Sequence, residues 1–245
     1  MAANKQTIPS VWARQRKRRE QPALSPERIV AEALSLLDEK GIDALSMRTL
    51  GTRLNAGATS LYRHVANKDE LIELVVDEVY GEVEVPEVAD PKAWREQLAV
   101  TAHSLRAMIL RHPWVASVLG QVALVELGPN LMRQSERMLG LFRAAGFDLA
   151  DADRANSALT AYVVGIAGSE ASFLSLMARS GQDPQEWTRS LRETAEQIAE
   201  EQPLLKEYYT QVWPKGDMHE WNDENFVYGL DLFLDGITVR LSAQD

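Results

Sequence analysis

Leu45-Ser46-Met47-Arg48-Thr49-Leu50-Gly51-Thr52-Arg53-Leu54, then Asn55-Ala56-Gly57, then Ala58-Thr59-Ser60-Leu61-Tyr62-Arg63-His64-Val65, is the stretch whose reading decides the fold. Ser46 offers a capping hydroxyl to a short helix that runs through Leu54. Asn55 and Gly57 tolerate turn geometry, and a second short helix fits Ala58 to His64. Leu50, Leu54, Leu61 and Val65 would lock the two helices together and leave their polar neighbours outside.

Upstream, Ser25-Pro26-Glu27 is a helix start: a capping hydroxyl, a proline at the first helical position and an acid at the positive helix end. The apolar stripe Ile29, Ala33, Leu36 and Leu37 follows and stops at Gly41. Downstream, Asn67 and Glu70 have capping-box spacing and open a helix expected over 68–84, with Leu71, Leu74, Val75 and Val79 facing inward. Three helices with a tight turn between the second and third describe a helix-turn-helix, which lays its last helix in the major groove.

Charge is unevenly spread. The 245 residues carry a net charge of −10, yet residues 1–70 hold 12 Lys/Arg against 8 Asp/Glu and the remainder 14 against 28. Positive charge therefore sits at the front, where a phosphate-facing surface is wanted. Arg14, Arg16, Lys17, Arg18 and Arg19 are read equally as a solvated tail or as an arm entering the minor groove. There is no cysteine, so disulfides and thiolate metal sites are excluded. The apolar runs are broken before the roughly 20 residues a bilayer span requires, so no membrane association is expected. A reducing cytoplasm fits.

The rest of the chain reads as helix, with spans at about 91–111, 113–119, 127–145, 151–178, 184–200 and 223–243 and a loop over 211–222. Glu82 to Pro91, acidic and carrying two prolines, marks a junction. The organisation expected is all-α: a basic flexible arm over 1–24, a helix-turn-helix domain with its connecting helix over 25–84, and a larger helical domain over 85–245.

The quoted segment, continued by Asn67-Lys68-Asp69-Glu70-Leu71, resembles the DNA-binding domain of the tetracycline-repressor family, and the resemblance covers residues 25–80. It implies operator duplex as partner. Thr59, Ser60 and Arg63 sit where base edges would be read. Tyr62 and His64 look like the family's phosphate and base contacts, Lys68 like its phosphate clamp, and Arg48 like a contact from the second helix. Tyr62 and His64 also have plain readings as packing and helix-end residues, and Arg53 is read as an exposed helix charge. This chain has Asn55 and Gly57 where the family usually places a capping side chain.

From Trp94 onward the chain resembles the ligand-binding domain of the tetracycline-repressor class, most clearly over Asn225 to Ile237. The resemblance implies a homodimer and a small-molecule inducer. The stripe Phe226, Leu230, Phe233, Ile237 and Leu241, with Ala158 to Phe173 as a matching surface, is expected to form a four-helix dimer interface, as the resemblance implies, with both helices as internal core the alternative. Leu105, Met108, Ile109, Trp114, Leu131, Met138 and Tyr162 are candidate lining residues for a largely apolar inducer, with His103, Asn130 and Gln134 as polar anchors. No metal or other cofactor is expected. Val115 to Gly120 lacks the histidine of the tetracycline repressor, and Ser169 stands about where a metal-associated glutamate would be, which disfavours magnesium-tetracycline.

Competing classes find less support. The four histidines form no HExxH, and there is no cysteine nucleophile, G-x-S-x-G, P-loop or GxGxxG, so an enzyme reading lacks a constellation. A helix-turn-helix acting on another protein remains the alternative, separable by salt-sensitive binding to duplex DNA.

Overall fold

A computed structural model describes residues 24–88, 90–119, 128–214 and 218–242. Among these the chain is helical, with no strand. The basic run Arg14 to Arg19 lies outside the described residues.

The first four helices are α1 (Pro26–Lys40), α2 (Met47–Arg53), α3 (Ala58–Leu61) and α4 (Lys68–Tyr80). Ser25 caps α1 by accepting Arg28 N–H, and Gly41 ends it at φ 74°, a conformation glycine adopts without a Cβ penalty. Ile29, Ala33, Leu36 and Leu37 are buried as their spacing requires. Ser46 accepts Thr49 N–H at 3.1 Å, and Asn67 caps α4 by accepting Glu70 N–H at 2.8 Å. Glu70 reaches back to Ala66 N–H, one residue before the cap.

Two boundaries differ from the sequence reading. α3 closes at Leu61 and Tyr62 to His64 continue as turns, with His64 N–H bonded to Leu61 O at 2.9 Å. α4 ends at Tyr80 rather than near residue 84. Beyond it Val83 and Val85 are buried and the backbone is strapped by side chains. Gln134 donates to Val83 O at 2.7 Å, Arg137 to Val85 O at 3.3 Å and Gln97 to Glu87 O at 3.1 Å, while Ser104 Oγ accepts Glu84 N–H at 2.8 Å. The junction is thus bonded to the second half of the chain along its length.

That half comprises α5 (Trp94–Arg111), α6 (Val115–Val118), α7 (Pro129–Ala145), α8 (Leu149–Ser180), α9 (Pro184–Ile198), α10 (Pro203–Glu207) and α11 (Met218–Ser242). The sequence reading missed α10 and the π-helical turn Tyr208–Val212, and placed loop where α11 begins. α5, α7 and α8 form the centre, with α4 docked on α7, and α11 against α8 and α5. Leu98, Met108, Ile109, Leu141, Phe142, Leu159 and Val163 fill the core.

α8 qualifies the expectation that nothing here could span a bilayer. Its 32 residues and a mean hydropathy of 1.4 over 18 of them suffice by length and composition. In the fold it carries the buried Glu170 against α5 and packs on α7 and α11. Only 22% of that apolar window is buried within the chain. Along the helix Ala158, Ala161, Gly165, Ser169 and Ser172 are small and exposed, while Tyr162, Val164 and Ile166 are half-buried.

Candidate nucleic-acid interface and regulatory domain

α2 and α3 meet across a turn that two residues make possible. Asn55 has φ 53°, in the left-handed region that asparagine tolerates. A Cβ on Gly51 would stand 2.7 Å from Ala56 O, so only glycine lets the chain pass so close. Leu50, Leu54, Leu61 and Val65 are buried and join the helices as one body, as their spacing predicts.

The polar neighbours point outward. Arg48, Thr59, Tyr62, Arg63 and His64 are exposed, and Ser60 and Lys68 are half-buried. Tyr62 is 52% exposed, so its ring does not pack under the helix. Between α2 and the start of α3 lies an open cleft of about 480 Å³ lined by Arg48, Thr52, Asn55 and Ala58.

Arg53 behaves differently from its expected solvated state. It bonds Glu39 through Nη1 at 2.7 Å and Ser35 through Nη2 at 3.1 Å, and pairs with Glu32. It therefore staples α2 to α1. The Arg53 guanidinium holds the Glu39 carboxyl down at about 2. With Arg53 so committed, residues 25–70 hold six Lys/Arg against seven Asp/Glu, and the basic excess of the front resides in Arg14 to Arg19.

The residues singled out in the second half fall into separate groups. Leu105, Met108, Ile109 and Met138 are buried in the α5–α7–α8 core, with Leu131 half-buried at its edge. Trp114, also buried, gives its Nε1–H to Asp38 Oδ1 at 2.8 Å. Asn130 is bound to α4, donating Nδ2–H to Asp77 O at 3.0 Å. Gln134 holds the strap, and its Oε1 is buried without a partner. His103 and Tyr162 lie elsewhere, on either side of Phe226: the His103 ring is edge-on at 5.0 Å and Tyr162 stacks at 5.9 Å, with its Oη–H bonded to Phe226 O at 2.7 Å.

Two features escaped the sequence reading. Arg106 of α5 makes a bidentate bond to Glu170 of α8, both at 2.9 Å, and reaches Asp223 of α11 at 2.6 Å with its guanidinium over the Phe226 ring. A charge on each of two apolar stripes was the available signal. The other is His112, bonded to the first half of the chain through Asp38 and Glu82.

The expected dimer stripe needs correction. Phe226, Leu230 and Ile237 are buried within the protomer and Phe233 and Leu241 are half-buried, because α11 turns that face onto α8 and α5. Gly229 serves the same internal contact, since a Cβ there would meet Tyr162 Oη at 2.5 Å. The outward stripe of α11 is Tyr228, Leu232 and Val239, exposed by 68%, 58% and 69%. Gly165 and Gly236 open onto free space beside it.

Comparison with known proteins agrees with this architecture. Residues 29–75 match the family described as "Bacterial regulatory proteins, tetR family", and residues 86–241 match "Tetracyclin repressor-like, C-terminal domain". An HTH-type transcriptional regulator of Saccharopolyspora erythraea is 41% identical over 162 residues, covering 66% of this chain and 67% of that protein. The HTH-type transcriptional repressor DrrR1 of Streptomyces coeruleorubidus is 30% identical over 97% of this chain and 87% of its own. ActR, a TetR family protein of Streptomyces coelicolor, has been solved with (S)-DNPA and with actinorhodin. The (S)-DNPA complex superposes with a TM-score of 0.71 at 34% identity, covering 89% of this chain and 99% of ActR. The chain belongs to the TetR family of bacterial regulatory proteins and is a DNA-binding transcriptional regulator.

Proposed function

We infer that this chain is a ligand-responsive repressor, a homodimer that holds a pseudo-palindromic operator and releases it when a small, largely apolar molecule binds the second half. The observation that carries the reading is the outward face of the second and third helices. Arg48, Thr59, Tyr62, Arg63 and His64 are exposed and Ser60 and Lys68 half-buried, while Leu50, Leu54, Leu61 and Val65 beside them are turned inward, which supports reading these polar residues as the contact surface. Hydroxyls, two arginines and a phenol among them match the donors and acceptors of a major groove and its flanking phosphates.

Residues 25–84 act as the reading head and 85–245 as the regulatory and dimerisation domain. The basic run before Leu24 adds sequence-independent attraction to phosphates. Dimerisation uses the small-residue stripe of α8 and the outward Tyr228, Leu232 and Val239 of α11, which small side chains let a second copy approach closely. The inducer site draws on Leu105, Met108, Ile109, Trp114, Leu131, Gln134 and Met138. His103, Asn130 and Tyr162 have bonds within the fold that a ligand would have to share. ActR's complexes with (S)-DNPA and actinorhodin support a bound small molecule. The protein acts where the chromosome lies, in the cytoplasm.

The test is selection of duplexes from a random-sequence library on the purified chain, followed by titration of the recovered duplex at two salt concentrations. A recovered inverted repeat bound with a steep salt dependence supports the reading. Failure to enrich any sequence, with binding to another protein instead, would favour an interaction module.

A further inference from the structure

His112, the residue that ends α5, lies 4% exposed where the two halves of the chain meet. Its Nδ1 is 2.7 Å from Asp38 Oδ1, and its Nε2 is 3.2 Å from Glu82 Oε1. Asp38 belongs to the last turn of α1, and Glu82 follows the end of α4. The Asp38 oxygen that meets the ring also accepts Trp114 Nε1–H, and the Trp114 and His112 rings meet edge-on at 6.4 Å. Arg111 pairs with Glu82 from the other side. The corner between α5 and α6 is therefore bonded to α1 and to the residue two places beyond the end of α4. α4 is not the sole route between the halves, as the order of elements along the chain suggests.

The partners decide the chemistry of this joint. An ionised carboxylate only accepts hydrogen bonds, and a neutral imidazole carries one N–H, so it can satisfy Asp38 or Glu82 but not both. An imidazolium donates from both nitrogens and makes two charge-assisted bonds. The charged groups that face the ring are Asp38 from α1, Glu82 beyond α4 and Arg111 from its own helix. Trp114, at the entry to α6, adds an uncharged donor. Loss of the ring proton leaves a lone pair facing a carboxylate, and one side of the joint opens.

We propose that Asp38, His112 and Glu82 form a proton-dependent joint that fixes the tilt of the helix-turn-helix on the regulatory domain, and that the operator-binding tilt requires it closed. His112 is a positioning residue in this arrangement and touches no DNA. Because the closed, operator-binding form holds the proton, operator affinity is retained at low pH and lost as pH rises. The inference rests on the operator reading above and adds to it a route through α1.

The experiment is a fluorescence-anisotropy titration of the duplex recovered by selection, at fixed ionic strength, across about pH 5 to 8, the range in which histidine is the side chain whose charge ordinarily changes. The full chain is compared with His112→Gln, His112→Lys and Asp38→Asn. The unmodified chain is expected to lose affinity by about fivefold or more as pH rises, the lower end of a typical coupling. His112→Gln is expected to bind weakly at every pH. His112→Lys, whose cation persists through the range, is expected to keep its affinity at high pH. Because His64 is intact in that variant, the DNA-facing histidine cannot account for the difference.

Equal pH profiles in the unmodified chain and His112→Lys would overturn the joint while leaving the operator reading intact. Failure to recover any duplex would instead overturn the operator reading. If circular dichroism showed His112→Lys to be unfolded, Asp38→Asn would decide. That variant keeps an acceptor for Trp114 and removes one charge, so a weaker and shallower profile supports the joint, and an unchanged one refutes it.

Discussion

Asp77 of α4 closes the N-terminus of α7: its Oδ1 accepts the backbone N–H groups of Asn130 and Leu131, each at 3.0 Å. Asn130 returns its side-chain N–H to Asp77 O, and a Cβ on Gly128 would collide with the Asp77 carboxylate. A buried acid thus serves as the cap of a helix in the other half of the molecule, where the helix dipole favours its charge. Asp77→Ala should cost about 1–2 kcal/mol in denaturant unfolding, the usual range for a lost cap. Asp77→Asn, which keeps an acceptor, should cost less. Equal losses from the two changes would contradict this, showing that a neutral acceptor at this position contributes nothing and that the charge carries the whole effect.

Arg106 and Glu170 should respond as a buried pair. Glu170→Gln leaves the guanidinium with only Asp223, and breaking a buried pair typically costs about 3–5 kcal/mol. Replacing both with Met and Leu should cost much less, since the desolvation penalty of two buried ions disappears and Asp223, the remaining charge at the site, is 48% exposed and can be solvated. Urea unfolding of the three proteins checks the order. A double variant less stable than Glu170→Gln would contradict it.

Lys68 and Arg63 should fail in different ways. Lys68→Ala, which removes the proposed phosphate contact at the start of α4, should weaken binding to operator and scrambled duplex alike and reduce the salt slope by about 1. Arg63→Ala should cost about 1–3 kcal/mol on operator and relax preference at one position. Parallel titrations at two salt concentrations separate them. If Arg63→Ala weakened both duplexes in equal proportion, Arg63 would be a phosphate contact and base reading would fall to Thr59, Ser60 and Arg48.

The Arg53 staple gives an acid-side prediction. Glu39 has its folded pKa depressed from 4.5 to about 2 by the Arg53 guanidinium and the Ser35 hydroxyl. A depressed carboxyl contributes stability that is complete above its unfolded value and vanishes as pH falls through the folded one. The staple should therefore hold above about pH 4.5 and be lost progressively toward pH 2. Acid titration of the melting temperature should lose that component in Glu39→Gln; an unchanged acid profile would place the sensitivity elsewhere.

Much of the reading head was legible in the sequence because its signals are local. Ser25, Ser46 and Asn67 each cap the helix that follows within three residues, and Leu50, Leu54, Leu61 and Val65 follow helical spacing onto one face. Contacts between segments far apart in sequence were not legible. Arg53 looks like an exposed charge until α1 brings Glu32 and Glu39 beside it, and His112 looks like a helix end until Asp38 arrives from 74 residues away. The α11 stripe misled for a related reason. Its apolar residues occupy more than one face, and which face turns inward depends on Tyr162 and Gly229 meeting across the α8 contact. The end of α4 lies earlier than its spacing suggests, since Val83 continues the four-residue spacing of Val75 and Val79. The hydrogen bonds that draw the backbone out come from Gln134, Arg137 and Gln97.

The central claim, that two copies read a two-fold symmetric operator through their exposed third helices, is tested most directly by footprinting the recovered duplex alongside sedimentation of the complex. The account predicts two protected half-sites with centres about one helical turn, roughly 34–36 Å, or somewhat more apart, and at least two chains per duplex. Protection of one asymmetric half-site by a single chain would contradict it.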